Sequence, residues 1–207
     1  MAAGDRGELA RRALDGYVSG PDATFRATAR ALAKVDDAAT LVLVEGISDQ
    51  IAVETAAAGR GRDLEAERVV VVPIGGAHAI GRFLATLTPA EGRRLAGLCD
   101  LREAHLFQRE LQDGLGVYVC VDDLEDELIR AVGTAAVEAL FDSQGDLGSL
   151  HSLQHQPAWR DRELQAQLRR FLGSGARRKL RYGRLLVEAA LARDVLPRPL
   201  DALLAAV

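Results

Sequence analysis

The sequence of 207 residues has only two cysteines, Cys99 and Cys120, and no long run of apolar residues. Two cysteines are too few for a disulfide framework and lack metal-ligand spacing, so we expect both to be buried thiols. No stretch approaches the ~18 consecutive apolar residues that a membrane-spanning helix needs. Residues 1–17 carry charges throughout and lack the apolar segment of a signal peptide. These absences predict a cytoplasmic protein without a membrane segment.

Lysine is equally scarce, since Lys34 follows an alanine, Lys179 follows an arginine, and no other lysine occurs. The chain therefore has no Gly-Lys pair and no ATP-binding P-loop. The formal net charge of −4 excludes a uniformly basic surface for nucleic acid. Residues 155–207 nevertheless contain 11 basic and 5 acidic side chains. This basic end predicts either an anion-binding surface or an ordinary solvated helix, and charge alone does not separate the two.

Short apolar runs alternate with helical patterns in the middle of the chain. The runs at 41–44 and 69–72 are continuous and rich in β-branched residues, as in a strand covered on both faces. The predicted strands are residues 41–44, 69–72, 94–99 and 117–121, and the predicted helices are 24–34, 47–58, 77–87, 103–111 and one from 124. This alternation predicts an α/β fold, a parallel Rossmann-like sheet of about four strands with helices on both faces.

Strand patterns stop at about residue 133, and helical patterns replace them. Further helices are predicted at residues 9–18, 134–141, 161–172, 176–192 and 199–206, with a loop at 145–157. We therefore divide the chain into an N-terminal helical segment (1–39), an α/β domain (40–133) and a C-terminal helical appendage packed on the sheet (134–207).

Acidic residues follow three of the four predicted strands. Glu45 and Asp49 come after the first strand, Asp100 after the third, and Asp123 and Glu125 after the fourth. Because ligands bind at the carboxyl ends of parallel strands, we expect these side chains to meet at one edge. Carboxylates that meet repel one another unless a cation such as Mg²⁺ lies between them. The alternative is that these acids and Asp122 cap the following helices, which suits Asp122, Asp123 and Asp49 but not Glu45, because glutamate is a weak cap.

Four segments together resemble a TOPRIM domain, and in particular the TOPRIM module of OLD-family (overcoming lysogenisation defect) endonucleases. They are Leu-Val-Leu-Val-Glu-Gly-Ile-Ser-Asp from Leu41, Val-Pro-Ile-Gly-Gly from Val72, Leu-Cys-Asp from Leu98 and Asp-Leu-Glu-Asp from Asp123. The first contains Glu-Gly-x-Ser-Asp, which is similar to the first motif of that family. The resemblance covers residues 40–133, and the basic stretch around Lys179 is similar to the end of the module.

The resemblance implies phosphoryl-transfer chemistry on nucleic acid, with DNA favoured and with one or two Mg²⁺ or Mn²⁺ ions as cofactors. It implies that Glu45 is catalytic, as a metal ligand or general acid/base, and that Lys179 stabilises charge on the transferred phosphate. The implied metal ligands are Glu45, Asp49, Asp100, Glu125 and Asp123. The implied phosphate-binding residues are Gly46, Gly75, Gly76, Arg178 and Arg181.

Two departures from the family pattern limit this reading. TOPRIM domains generally have Asp-x-Asp at the third strand, whereas Arg102 stands here at the second acidic position. Glu103, Asp122 and Asp123 are the nearby acids that could substitute, so the second ion and cleavage itself stay open. The second departure is that these residues contain no P-loop of the family's ATPase half, so we expect a separate subunit to supply any ATP-driven step.

We therefore expect a Mg²⁺-dependent phosphodiester hydrolase or nucleotidyl-transfer enzyme acting on nucleic acid. The alternative is a degenerate TOPRIM module that binds metal, nucleotide or a protein partner without catalysis. A response-regulator phosphoacceptor domain also clusters acids at strand ends, but the lysine and acid pair that it requires is not at the expected places. The sequence leaves open whether the substrate is DNA, RNA or a nucleotide, and whether the protein forms oligomers.

Overall fold

Four parallel strands form the centre of the computed structural model, which describes residues 8, 12–17, 20, 22–88 and 92–207. The strands are β1 (Thr40–Val44), β2 (Val69–Pro73), β3 (Arg94–Asp100) and β4 (Gly116–Cys120). Their order in the sheet is β2-β1-β3-β4. The register pairs Val44 with Pro73 and with Leu98, and Asp100 with Cys120, so the carboxyl ends lie along one edge.

Ten α-helices occur in the described part of the chain. They are α1 (Ala23–Leu32), α2 (Ile47–Gly59), α3 (Ile80–Leu84), α4 (Ala104–Glu110), α5 (Leu124–Val132), α6 (Thr134–Ser143), α7 (Leu147–Gln154), α8 (Leu164–Gly173), α9 (Ala176–Leu191) and α10 (Arg198–Ala206). A short 3₁₀ helix, Ala77–Ala79, precedes α3. The predicted α/β fold, a four-stranded parallel sheet with helices on both faces, is therefore confirmed.

The two faces of the sheet are covered by different sets of helices. On the first face, Val42, Val44 and Leu98 pack in one apolar core with residues of α2, α5 and the C-terminal helices α6 to α10. On the second face, Leu41 and Leu43 pack with residues of α1, α3 and α4. Every residue of β1 is buried, because both of its faces are covered and β2 and β3 lie on either side. The C-terminal helices are thus packed on the sheet, while the division into three segments stays a prediction.

The long helix α9 crosses α2 at close range. A Cβ atom at Gly183 would lie 3.1 Å from the carbonyl oxygen of Ser48, so only glycine allows this approach without displacement. Behind the contact, the rings of Phe141 and Tyr182 lie 4.7 Å apart and those of Phe141 and Phe171 5.1 Å apart. Because ring pairs at these distances prefer tilted or edge-to-face arrangements, they restrain the relative orientation of α6, α8 and α9. The crossing brings the first half of α9 to the edge of the sheet.

The elements differ from the predicted ones in a few places. The predicted loop at 145–157 is wrong, because it contains α7, whose Leu150 and Leu153 are buried. The predicted helix 77–87 is shorter and begins as a 3₁₀ turn. The predicted helix 9–18 lies partly outside the described residues. None of the helices in the described ranges is long and apolar enough to cross a bilayer.

Candidate metal and phosphate site

Glu45 directly follows β1 and is fixed by the two neighbouring strand ends. Its backbone carbonyl accepts hydrogen bonds from the N–H groups of Gly75 (3.1 Å) and Gly76 (2.9 Å). These glycines have φ values of +80° and +103°, in the left-handed region that other residues rarely adopt. The side-chain Oε1 of Glu45 accepts a hydrogen bond from the N–H of Asp100, 3.0 Å away. The carboxylate of Glu45 is therefore held at the end of β3.

Three carboxylates form the first group at this edge. Glu45, Asp100 and Glu103 each offer one oxygen, and these oxygens lie within 4.8 Å of one another. All three side chains are partly buried. Oxygens on opposite sides of a Mg²⁺ ion, with bonds of about 2.1 Å, are about 4.2 Å apart. A small inward movement is therefore enough for the first group, as we name these three residues, to bind one cation.

A second group lies beside α9 and consists of Asp49, Glu125 and Lys179. Asp49, in the first turn of α2, accepts a hydrogen bond at Oδ2 from the N–H of Gly46, 2.9 Å away. Glu125, in the first turn of α5, is buried, and its Oε1 lies 3.4 Å from Nζ of Lys179. The second group thus already contains a cation, whereas the first group has only carboxylates.

Asp123 is engaged by two structural contacts. Its Oδ1 accepts a hydrogen bond from the N–H of Asp126 (2.7 Å), as the N-cap of α5. Its Oδ2 accepts a hydrogen bond from Nε of Arg169 (2.6 Å), and Arg169 also lies 3.4 Å from Asp122. The helix-capping alternative accounts for the hydrogen bond from Asp126 but not for the pairing of Asp122 and Asp123 with Arg169. Metal ligation by Asp123 stays a prediction, and it requires one of these bonds to break.

Four carboxyl groups at this edge have raised pKa values: Glu45, Asp49, Asp100 and Glu125. Burial, and then repulsion from Glu45 and Asp49, raises the pKa of Asp100 to about 8. Burial raises the pKa of Glu125 to about 7 and that of Asp49 to about 6, although Lys179 opposes both shifts. Burial also raises the pKa of Glu45, against the hydrogen bond from Asp100. Burial is the largest cause of each shift, and repulsion between neighbouring carboxylates adds to it.

The carboxylates at this edge also shift the pKa of Lys179. Burial alone would lower its pKa, but the carboxylates of Glu125, Asp49 and Asp123 raise it above its ordinary value. The ammonium group is therefore charged over the whole physiological range. A fixed positive charge beside a carboxylate edge suits a position next to a phosphate group.

The hard, oxygen-only donor set of the first group fits Mg²⁺ or Mn²⁺. A bound dication would also relieve the repulsion that raises the pKa of Asp100. Glu103 was not among the predicted ligands, although it follows Asp100 by three residues. The turn at 101–103 returns its side chain to the edge, and the i, i+3 spacing of the two acids was the available signal.

Two of the predicted phosphate-binding arginines point away from the edge. Arg181 is 7% exposed and pairs with Asp146, which also accepts a hydrogen bond from the hydroxyl of Tyr182 (2.9 Å). A phosphate role for Arg181 stays a prediction, and it requires the pair with Asp146 to break. Arg178 donates to the Phe171 carbonyl at the end of α8 (3.1 Å) and its guanidinium lies over the Phe171 ring, 3.9 Å from the centroid. A phosphate role for Arg178 stays a prediction that requires these contacts to change.

One segment of the chain matches the model of a known protein family. Residues 38–101 match the family model described as the overcoming lysogenization defect protein-like TOPRIM domain. No curated protein matches the sequence. The chain resembles the C-terminal region of the Burkholderia pseudomallei OLD protein, with a TM-score of 0.59 and 16% identity over 81% of this chain and 96% of that one.

The chain is also similar in fold to a second solved structure. The C-terminal region of the Xanthomonas campestris pv. campestris OLD protein has a TM-score of 0.51 and 19% identity, over 80% of this chain and 96% of that chain. At these identities the likeness concerns the fold. The predicted resemblance is confirmed, because residues 38–101 match an OLD-like TOPRIM model and the fold resembles the C-terminal regions of OLD proteins.

Proposed function

We propose that this protein is a divalent-metal-dependent enzyme that hydrolyses or transfers phosphodiester groups of nucleic acid. The observation that carries the proposal is the convergence of Glu45, Asp100 and Glu103 within 4.8 Å, with the charged Lys179 of the second group at the same edge. Carboxylates that bind a dication and a lysine that contacts phosphate are the parts that such a reaction requires. The likeness to OLD-like TOPRIM domains supports the same class of chemistry.

The first group would hold the metal ion. When bound, a dication supplies activation of water and neutralisation of phosphate charge. Glu45 has one oxygen fixed by the N–H of Asp100. We therefore assign its second oxygen to the metal or to a proton of the attacking water. The ammonium group of Lys179 would stabilise the charge that develops on the phosphate.

A nucleic-acid strand would reach the edge past a small number of exposed cations. Arg102 lies beside Asp100 and is exposed, and Arg177 is exposed at the start of α9. With Arg181 buried and Arg178 packed on α8, α9 presents fewer cations to a ligand than its sequence predicts. Binding would therefore depend on salt only moderately, with a slope that reflects a few phosphate contacts.

The test is nuclease activity of the full chain on plasmid, single-stranded DNA and RNA, with Mg²⁺ or Mn²⁺ and with EDTA. Glu45→Gln preserves the shape of the side chain and removes its charge, and we expect activity to fall by about 10²–10⁴-fold. We expect Lys179→Met to lower kcat by about 10²–10³-fold.

Glu65→Gln is the matched control, since Glu65 is 80% exposed and pairs with Lys34 far from the edge. It should be as active as the wild type. Equal activity of Glu45→Gln and wild type on every substrate would overturn the proposed function.

Arg102 favours a second candidate, a module that binds metal and nucleic acid or nucleotide without cleavage. A cation at the second position of the third-strand motif removes one carboxylate from the edge. Under this alternative, wild type binds Mn²⁺ and ligand but cleaves nothing, and Arg102→Asp does not weaken metal binding. Metal-dependent cleavage by the wild type excludes it.

A further inference from the structure

A cavity of about 680 Å³ lies between α1, α2 and β2, on the side of the sheet where β2 is the outermost strand. Apolar side chains of all three elements line it, among them Ala27 and Ala31 of α1, Ile47 of α2 and Val71 of β2. None of the described residues that line it belongs to the first or the second group. A largely apolar cavity of this size, with a few polar groups in its wall, is typical of a small-molecule site.

Glu54 of α2 provides a carboxylate in the wall of this cavity. Its Oε1 accepts a hydrogen bond from Nε2 of Gln50, 2.9 Å away, and the carboxylate also accepts one from the hydroxyl of Tyr17. Within the described part of the chain, no basic side chain forms an ion pair with Glu54. Burial raises the pKa of this carboxyl group, against both hydrogen bonds. A carboxylate that is largely removed from water gains stability from a positive charge beside it.

The basic side chains that line the cavity do not supply this charge. They are Arg30, Lys34, Arg62 and Arg68. Lys34 pairs with Glu65 and Arg62 with Glu67, while Arg30 and Arg68 are exposed. The charge of Lys34 lowers the pKa of Glu54 less than the hydrogen bonds do. The cation that Glu54 lacks would therefore come from a ligand.

Gln50 adds an unused acceptor one helical turn before Glu54. Its Oε1 atom is buried and has no hydrogen-bond partner among the residues that the structure describes. A buried acceptor without a donor costs free energy, which a ligand N–H group at this position would recover. The same wall of α2 thus offers a carboxylate and an amide oxygen to a ligand.

We propose that this cavity binds a small aliphatic amine, whose ammonium group donates to Glu54 and Gln50 and whose carbon chain packs on the apolar side chains of α1 and β2. An ammonium group has three N–H donors and a positive charge, which match two acceptors of which one is a carboxylate. A single carboxylate is a poor site for a divalent metal, which takes several oxygen ligands. The inference is independent of the proposed function, because no residue of the acidic edge takes part in it.

The experiment titrates straight-chain amines from propylamine to octylamine, and the alcohols of equal length, into the full chain with Mg²⁺ at physiological ionic strength. Calorimetry should show one amine per chain. We expect each amine to bind at least about tenfold more tightly than the matching alcohol, because it adds a hydrogen bond between charged groups. Each added methylene should tighten binding by about three- to fourfold until the cavity is filled.

Methyl NMR of the wild type locates the bound amine without any substitution. The methyl signals of Ile47, Val69 and Val71 should shift on addition of hexylamine, since these side chains line the cavity. Those of Val44 and Leu98, at the ends of β1 and β3, should not.

Glu54→Gln keeps the shape of the side chain and removes its charge. We expect it to weaken the amines by at least about tenfold and to leave the alcohols unchanged. Glu65→Gln is the matched control, because it removes an exposed carboxylate that also lines the cavity. Glu103→Gln is the control for amines attracted to the first group. Both controls should bind the amines as the wild type does, and circular dichroism confirms that each variant is folded.

The inference is overturned if no amine binds, or if amines and alcohols bind equally well. Equal amine affinity of Glu54→Gln and wild type would also overturn it. Loss of amine binding in Glu103→Gln, or methyl shifts at Val44 and Leu98 alone, would place the amine at the acidic edge and so refute the cavity site. None of these outcomes bears on the proposed function, which depends on metal-dependent cleavage.

Discussion

The two faces of the sheet are built in different ways. On the second face, α3 and α4 are the crossover helices that follow β2 and β3 directly in the sequence. On the first face, β1, β3 and β4 pack with helices drawn from the last third of the chain, including the aromatic residues Phe141, Phe171 and Tyr182. The second face thus forms from neighbouring segments, whereas the first depends on long-range contacts. The first face also supplies Lys179, so completing the site requires that face to be intact.

We expect pH to change the free energy of unfolding more than the substitutions below do, through the carboxylates at the edge of the sheet. In the metal-free protein, Asp100 and Glu125 have pKa values of about 8 and 7, above those of the unfolded chain. Between about pH 4 and pH 8 the folded protein therefore binds more protons than the unfolded chain, and stability falls as pH rises. Urea unfolding at several pH values with EDTA measures this slope.

Asp100→Asn provides the control for this prediction, because it removes the carboxylate with the highest pKa. We expect it to be more stable than wild type at pH 8 without metal and to show a flatter pH profile. Saturating Mn²⁺ should flatten the profile of the wild type as well. If the stability of the metal-free wild type rises over this range, the raised pKa values of Asp100 and Glu125 are contradicted.

Asp146→Ala should destabilise the first face by about 3–5 kcal/mol, because it leaves the buried guanidinium of Arg181 unpaired. The hydroxyl of Tyr182 loses its acceptor at the same time. The control is Asp201→Ala, which breaks the exposed pair with Arg60 and should cost at most about 1 kcal/mol. Equal small losses in both variants would show that the buried pair does not support the first face.

Phe141→Ala and Phe107→Ala compare the two faces directly, since both rings are fully buried, one on each face. Each should lower the free energy of unfolding by about 3–5 kcal/mol. Because both cores share the sheet, we expect one transition with an unchanged m value in each case. A separate early transition in Phe141→Ala would mean that the C-terminal helices unfold independently.

The smallest changes in the free energy of unfolding should come from substituting alanine for one glycine on each face. At Gly97, on β3, a Cβ atom would lie 2.6 Å from Cδ1 of the Phe107 ring and 2.9 Å from Cδ1 of Leu111. We expect Gly97→Ala to cost about 1–3 kcal/mol. Gly59→Ala meets the flexible end of Leu191 and gains helix propensity of up to about 1 kcal/mol, so its net effect should be close to zero. Chemical unfolding of both variants makes the comparison, and a larger loss in Gly59→Ala would contradict it.

The elements that follow local rules could be predicted from the sequence. The continuous apolar runs located β1 and β2, and the parallel sheet then placed Glu45 and Asp100 at one edge, where a hydrogen bond joins them. Glu103 was named only as one of three possible substitutes for the missing acid, because its side chain returns to the edge through a turn that periodicity does not describe. Only the family resemblance predicted that Lys179 is close to the acidic residues, and it did not predict the pair with Glu125.

The features that depend on distant partners could not be predicted. Arg181 lies in a basic run, and its partner Asp146 is 35 residues earlier, so the sequence gives no sign that this arginine is buried. The helix α7 could not be predicted either, because its polar composition is typical of a loop. Its Gln154 side chain donates to Gln167 on α8 (2.9 Å), a contact that exists only once both helices are in place.

The hydrogen bond from the N–H of Asp100 to Oε1 of Glu45 ties the Glu45 carboxylate to the backbone of β3. Because β1 and β3 are paired up to Val44 and Leu98, the place of this carboxylate depends on the alignment of the two strands. A change that shifts β1 against β3 would therefore displace Glu45 even if no residue of the edge were substituted.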